Sequence, residues 1–449
     1  MTLSGDFLAN NPILKIVARH CQQPHPLSMS QSLSEYIHQL PIIDVHEHHL
    51  PETLLSKDVG LLDLFQQSYV GWTQARPYPL PGETVDEGLM GPAVGETTWE
   101  RIAAYTENSG SNQFVRSLIH GLDELYELKG EGITEENWQT LDQGIRQRHA
   151  DPEWPHEVMR RAGVQRIITD PFSAPLQNAC ETLGSHYQSV LRINALAMGW
   201  HPDNRDHNGN CASEFAKILD LPLDSFDDFC HMIDVLVDTL ADRNQVAVKN
   251  ALAYDRDIQF DAPDETLARS AWKKEAASPE EKKAFGDFVV DRFCALAGER
   301  DVPVQMHLGT AVIRFSHPMK TVGLIERHPK TRFLLMHLAY PWSSDLIGMA
   351  FVYRNIWIDL TWSLLLSGSN FKRALHEYIE VLPDESRIMF GGDNWHAEES
   401  FSTFKHARKL ISEVLQEKVD SGYFLEKDAR RLAEKIFSRN AIAFFGLED

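Results

Sequence analysis

The chain has 449 residues, 43% of them hydrophobic, which is enough for one large core or for a core with an inserted subdomain. Its 43 basic and 65 acidic side chains give a formal net charge of −22, which disfavours binding to nucleic acid or to an anionic membrane surface. We expect no signal peptide and no transmembrane helix, because no apolar run reaches about 18 residues. The five scattered cysteines form no CxxC pair, which favours reduced thiols and a cytoplasmic location.

The first 40 residues are interpreted as an N-terminal helical segment. Within it, Ser32-Leu33-Ser34-Glu35 has the spelling of a capping box, in which the serine and the glutamate bond each other's backbone amides. A short helix is therefore predicted to lead into the first strand.

From residue 41 onward, short apolar runs alternate with long helical patterns, which indicates βα units and a parallel sheet. Several runs are almost continuously apolar, as expected of strands that are covered on both faces. The sequence predicts eight strands, at 42–46, 166–170, 191–198, 245–250, 302–307, 332–337, 355–360 and 387–391. This order predicts a (β/α)8 TIM barrel over residues 41–449.

Helical patterns fill most of the connections. Residues 213–240 and 279–296 carry apolar side chains at helical spacing, and residues 401–449 are predicted to form two or more closing helices. Residues from about 51 to 163 contain no convincing strand, although a βα connection is normally a few residues and one helix. We interpret them as a large, mostly helical insertion after the first strand, in a position that overlies the mouth of a barrel.

Polar side chains lie at the ends of four of the predicted strands. His46 and His48 point to the same side of the first strand, because strand side chains alternate. His307, His337 and Asp393 end the fifth, sixth and eighth strands. Taken alone, the first pair could be two surface histidines. The strand ends of a barrel converge on one face, however, and imidazoles with a carboxylate suit a divalent ion such as Zn²⁺.

Two basic residues near these strand ends could contact a substrate. Lys249 ends the fourth strand, where it could bind a substrate carboxylate or pair with an acidic side chain. Arg314 follows His307 by seven residues and could meet an acidic substrate group, with a solvated loop arginine as the alternative.

In these strand-end residues and in its strand order, the chain resembles the amidohydrolase superfamily. The resemblance extends from about residue 41 to 447, and it is strongest to the amidohydrolase 2 branch of hydrolases, lactonases and non-oxidative decarboxylases. The long insertion and Thr169-Asp170-Pro171 are also similar to uronate isomerases.

The resemblance implies a role for each residue. His46, His48, His307 and Asp393 would hold one divalent metal, with Zn²⁺ preferred, and Asp393 would also act as the catalytic base. His337 would be catalytic, either through a hydrogen bond to the substrate oxygen or as a ligand of a second metal. Some members have a carbamylated lysine at the end of the fourth strand. If Lys249 is carbamylated in the same way, it would bridge two metal ions.

The implied activity is metal-dependent hydrolysis of an amide, ester or lactone bond in a small polar molecule, which could bear a carboxylate. Isomerisation of a uronate-type sugar or non-oxidative decarboxylation on the same scaffold is the alternative. Base rates for such enzymes favour a homo-oligomer.

Overall fold

Eight parallel strands form the sheet at the centre of the molecule. The computed structural model describes residues 31–49, 58–74 and 96–447. Each strand pairs in parallel with the next one along the chain, in the order β1 to β8. The strands are β1 Ile42–Glu47, β2 Val164–Thr169, β3 Tyr187–Arg192, β4 Gln245–Asn250, β5 Val304–Met306, β6 Phe333–Leu335, β7 Ile356–Asp359 and β8 Ile388–Met389. The predicted (β/α)8 barrel is confirmed.

Backbone hydrogen bonds join β1 to the segment after β8 and so close the barrel at its carboxyl end. The Asp393 amide donates to the His46 carbonyl over 2.7 Å, and the His48 amide donates to the Asn394 carbonyl over 2.9 Å. The polar residues that end β1 and β8 are therefore neighbours across the seam.

The predicted third strand was misplaced. Residues 191–198 were expected to be extended, but β3 ends at Arg192, and Asn194–Ala197 form a short helix in which the Met198 amide bonds the Asn194 carbonyl over 2.9 Å. Alanine and leucine favour helices, and an apolar run of this length does not distinguish a strand from a buried helical turn. The other strands lie within a few residues of their predicted positions.

The helices between the strands cover the barrel. Residues 213–240, predicted as one stretch, form two helices, because Asp220 takes a left-handed conformation and Ser225 caps a new helix. The helices that follow β2 are Ala179–Leu183, Asn194–Ala197, Ala212–Leu219, Phe226–Asp238, Glu265–Ala271, Pro279–Glu299, Val322–Arg327, Ser343–Val352, Ser363–Leu366, Gly368–Val381, Ala397–Asp420, Glu426–Glu434 and Asn440–Phe445.

The described residues between β1 and β2 are helical and contain no strand. Their helices are Leu61–Gln66, Trp99–Thr106, Gln113–Leu125, Trp138–His149 and Trp154–Arg161. They enclose a small apolar core of their own, which includes Phe65, Ile102 and Leu118. Before β1, the predicted capping box starts the helix Leu33–His38, whereas residues 1–30 lie outside the described ranges. Across the described ranges, every helix is too short or too polar to cross a bilayer.

Candidate metal centre

His46, His48 and Asp393 converge at the seam between β1 and β8. Asp393 Oδ1 lies 3.4 Å from His46 Nε2 and 3.2 Å from His48 Nε2, and one ligand atom from each residue lies within 4.8 Å of the other two. His46 and Asp393 are almost fully buried, and the His48 side chain is 13% exposed. The structure thus brings together three of the four residues that were predicted to bind the metal.

The local backbone explains how Asp393 reaches this position. Asp393 has a φ of +62°, a left-handed conformation that is uncommon for a residue with a side chain. Buried carboxylates of β1 hold it there: Asp44 Oδ1 accepts from the Gly392 amide over 3.0 Å, and Glu47 accepts from the backbone and side-chain amides of Asn394. A side chain at Gly392 would collide with the Glu47 carboxylate, so a glycine is required before Asp393.

The orientation of the His48 ring is fixed from the other side. Its Nδ1 lies 3.2 Å from the carbonyl oxygen of Asp170, which follows β2. A carbonyl can only accept, so Nδ1 carries a proton, and Nε2 is the ring nitrogen that faces Asp393. The Asp170 carboxylate in turn accepts from Arg192 Nη1 over 2.7 Å. This pair was missed as part of the site because the predicted third strand did not end at Arg192.

The charge states of these groups suit a cation. Burial lowers the pKa of His46 to about 4, so the imidazole is neutral and has a lone pair. Burial alone would raise the pKa of Asp393, but the neighbouring His46, His48 and His337 hold it well below the usual value. Asp393 Oδ1 is buried without a hydrogen-bond partner among the described residues. Two imidazole nitrogens and a carboxylate oxygen with an unused lone pair fit a divalent metal ion.

His337 and His307 form a pair beside this cluster. His337 Nδ1 lies 3.6 Å from Asp393 Oδ2, and His337 Nε2 lies 2.9 Å from His307 Nδ1. His307 Nε2 faces the Thr310 carbonyl over 3.2 Å. Both ring nitrogens of His307 therefore have protein partners, and its ring would have to turn before it could bind a metal. The role of His307 as a fourth ligand stays a prediction.

The structure places the two predicted substrate contacts very differently. Lys249 is buried, with its Nζ 3.4 Å from His46 Nε2 and 2.8 Å from Met336 Sδ, and burial lowers its pKa to about 8. Arg314 lies on an exposed turn after β5, and its guanidinium is stacked on Phe315 at 4.5 Å. Lys249 is thus next to the cluster, whereas no described contact joins Arg314 to it.

Comparison with known proteins agrees with this geometry. A protein-family model described as "Amidohydrolase" matches residues 276–447, which include β5 to β8 and the segment that carries Asp393. The resemblance to the amidohydrolase family is thereby confirmed. The matched range includes the closing helix Asn440–Phe445, and it leaves β1 with its two histidines outside.

Solved structures share the fold over nearly the whole chain. The uronate isomerase of Thermotoga maritima is 16% identical with a TM-score of 0.71, and the alignment covers 92% of this chain and 96% of that one. The glucuronate isomerase of Caulobacter crescentus is 14% identical with a TM-score of 0.68 and 93% coverage of both chains. A putative metal-dependent hydrolase of Lactobacillus casei is 14% identical with a TM-score of 0.63, over 93% of this chain and 98% of that one. At these identities the likeness establishes the fold.

A curated relative matches a shorter part. Protein fluG of Emericella nidulans is 23% identical over 232 residues, which is 47% of this chain and 27% of that protein. The matched region thus spans about a quarter of the relative's length.

Proposed function

We propose that this chain is a metal-dependent hydrolase that cleaves an amide, ester or lactone bond in a small polar molecule. One observation supports this most directly. Asp393 is a buried carboxylate whose Oδ1 lacks a hydrogen-bond partner among the described residues, although two imidazole nitrogens lie within 3.4 Å of it. A carboxylate that only stabilised the fold would be expected to have donors on both oxygens.

His46, His48 and Asp393 are the residues that would hold the cation, with His307 as a fourth ligand if its ring turns. A divalent ion bound there, for which we propose Zn²⁺, would act as a Lewis acid that activates water and polarises the bond to be cleaved. Asp393 would accept the proton of the attacking water and pass it to the leaving group. Its low pKa keeps it ionised before the reaction.

His337 and Lys249 would contact the substrate. Burial lowers the pKa of His337 to about 3, so the ring is neutral and carries one proton. In the bond to His307 Nδ1 that proton lies on Nε2, so His337 would donate to a substrate oxygen only after this bond is broken. Lys249 Nζ lies next to His46 and could bind an anionic group of the substrate. A carbamate on Lys249 would instead make it a ligand that bridges two ions.

A second candidate is the isomerisation of a uronate-type sugar acid. It is favoured by the likeness to two uronate or glucuronate isomerases over at least 92% of this chain, which includes the region between β1 and β2. We also propose a cytoplasmic location and a homo-oligomeric state, and light scattering of the purified protein would test the latter.

The first experiment measures metal content per chain in freshly purified protein, together with the intact mass. One metal and no adduct support the single-ion site, whereas two metals with a carbamate on Lys249 support the bridged site. The loaded protein is then incubated with amides, lactones and uronates. A product heavier by one water supports hydrolysis, an unchanged mass supports isomerisation, and loss of CO₂ supports decarboxylation. Failure to bind zinc or manganese would overturn the proposal.

A further inference from the structure

The solvent-facing side of the metal cluster is aromatic. His48 is the most exposed of the three ligands, at 13% against 1% for His46 and 3% for Asp393. The Trp395 ring stacks on His48, with centroids 5.1 Å apart and planes 27° apart. Phe172 meets both rings edge-on, at 5.5 Å from His48 and 5.4 Å from Trp395. A molecule that approaches His48 from solvent therefore contacts these two partly exposed rings.

Trp395 is held in this place by a buried carboxylate. Glu399 Oε2 accepts from the Trp395 amide over 3.0 Å, and Glu399 Oε1 accepts from the Tyr69 amide, also over 3.0 Å. Tyr69 belongs to the region between β1 and β2, and its ring packs against Trp395 at 6.3 Å and Trp362 at 5.1 Å. One carboxylate thus bonds the backbone amides of aromatic residues from two separate parts of the chain. Glu399 is only 4% exposed, so these bonds are shielded from water.

We infer that Phe172 and Trp395 form a substrate subsite beside His48 that takes a flat, apolar group, and that Glu399 is the residue that positions it. The inference rests on the proposed function, because it assumes that the substrate reacts at the His46, His48 and Asp393 cluster. Aromatic rings bind flat apolar groups by stacking and by edge-to-face contact, and they add little to the binding of a small polar molecule that lacks such a group. The subsite would therefore select substrates with a ring or another planar group next to the bond that reacts.

Two hydroxamates test the subsite without knowledge of the substrate. Acetohydroxamate and benzohydroxamate bind a metal through the same group, but only the second adds a flat ring. Their affinities are measured by calorimetry on the zinc-loaded full chain. We expect benzohydroxamate to bind about tenfold more tightly, since aromatic contacts of this kind contribute on that order.

Variants then assign the preference to residues. Trp395→Ala and Phe172→Leu should each reduce the ratio of the two affinities toward one. Burial raises the pKa of Glu399 to about 7, so its variant is compared above that pH, where the carboxylate is ionised. Glu399→Gln should then also reduce the ratio, because a glutamine can accept only one of the two amide protons and presents its own N–H groups to the other. Glu398→Gln is the matched control: Glu398 is the next residue, is equally buried and binds the same region of the chain, but it has no bond to Trp395.

The outcomes separate this inference from the proposed function. If acetohydroxamate fails to bind the zinc-loaded protein, both the proposed metal site and the subsite are overturned. If acetohydroxamate binds and benzohydroxamate binds no more tightly, the subsite alone is overturned. If the ratio falls equally in Glu398→Gln and Glu399→Gln, Glu399 has no specific positioning role. Should Trp395→Ala fail to fold, an unchanged ratio in Phe172→Leu overturns the subsite.

Discussion

Two buried clusters in this molecule use the same residue types and differ in how their carboxylates are satisfied. Glu398 accepts from His149 Nε2 over 2.6 Å, Trp154 Nε1 over 2.9 Å and Tyr126 over 3.1 Å, and its second oxygen lies 3.3 Å from His396 Nδ1. Asp393 also lies among imidazoles, yet its Oδ1 has no hydrogen-bond partner among the described residues. The two clusters are linked by a short segment of chain, since only four residues separate these carboxylates.

The difference distinguishes a cluster whose hydrogen bonds are complete within the protein from the proposed metal site. Every donor around Glu398 comes from the protein, so the cluster is complete and joins the region between β1 and β2 to the helix Ala397–Asp420. Around Asp393, two imidazole nitrogens lie within 3.4 Å of a carboxylate oxygen that has no hydrogen-bond partner among the described residues, and a bound cation would complete this set. Residue type alone would have ranked both clusters equally as metal sites.

The largest effect is expected from Asp393→Asn. The amide cannot accept and return a proton, so kcat on any substrate identified in the panel should fall by about 10³-fold or more. Because the pKa of Asp393 is held well below the usual value, its ionised form contributes to folding stability, so the variant should also be less stable. Steady-state kinetics and chemical denaturation measure the two quantities, with metal content as the control. Full turnover with metal bound would exclude Asp393 as the base.

Glu398→Gln should affect stability more than turnover. Removing one member of a buried ion pair costs about 3 kcal/mol, and several donors here lose a charged acceptor. We therefore expect a clear loss of stability in chemical denaturation, with metal content unchanged and with kcat reduced much less than in Asp393→Asn. A variant with native stability would contradict the view that this cluster joins the two regions.

Low pH should weaken the cluster around Glu398. Burial alone would raise the pKa of Glu398, but His149 and His396 hold it well below the usual 4.5. A depressed carboxylate pKa gives stability that is complete above about pH 4.5 and is lost as the pH falls through the folded value. The stability difference between wild type and Glu398→Gln should thus shrink below pH 4.5, as followed by denaturation at a series of pH values. A difference that is as large at pH 3 as at pH 7 would mean that charge contributes little.

The sequence predicted the parts of this site that depend on periodicity. Strand alternation placed His46 and His48 on one side, and the order of strand ends brought Asp393 beside them. The sequence could not show that Arg192 supports Asp170, because the apolar run that follows it concealed where β3 ends. It also could not show that His337 bonds His307, because that depends on ring rotations, nor that Trp395 is held by Glu399, because this contact requires the region between β1 and β2 to be folded.

The smallest effect is expected from Arg314→Ala. Arg314 is exposed and its guanidinium is stacked on Phe315, so its removal costs one surface contact and leaves the residues around Asp393 in place. We expect KM to change by less than about threefold and stability by less than about 0.5 kcal/mol, as for most surface substitutions. Lys249→Met is the matched comparison, because Lys249 lies against His46 and its loss should alter KM far more. A larger change in KM for Arg314→Ala, with unchanged stability, would support the predicted role of Arg314 as a substrate contact.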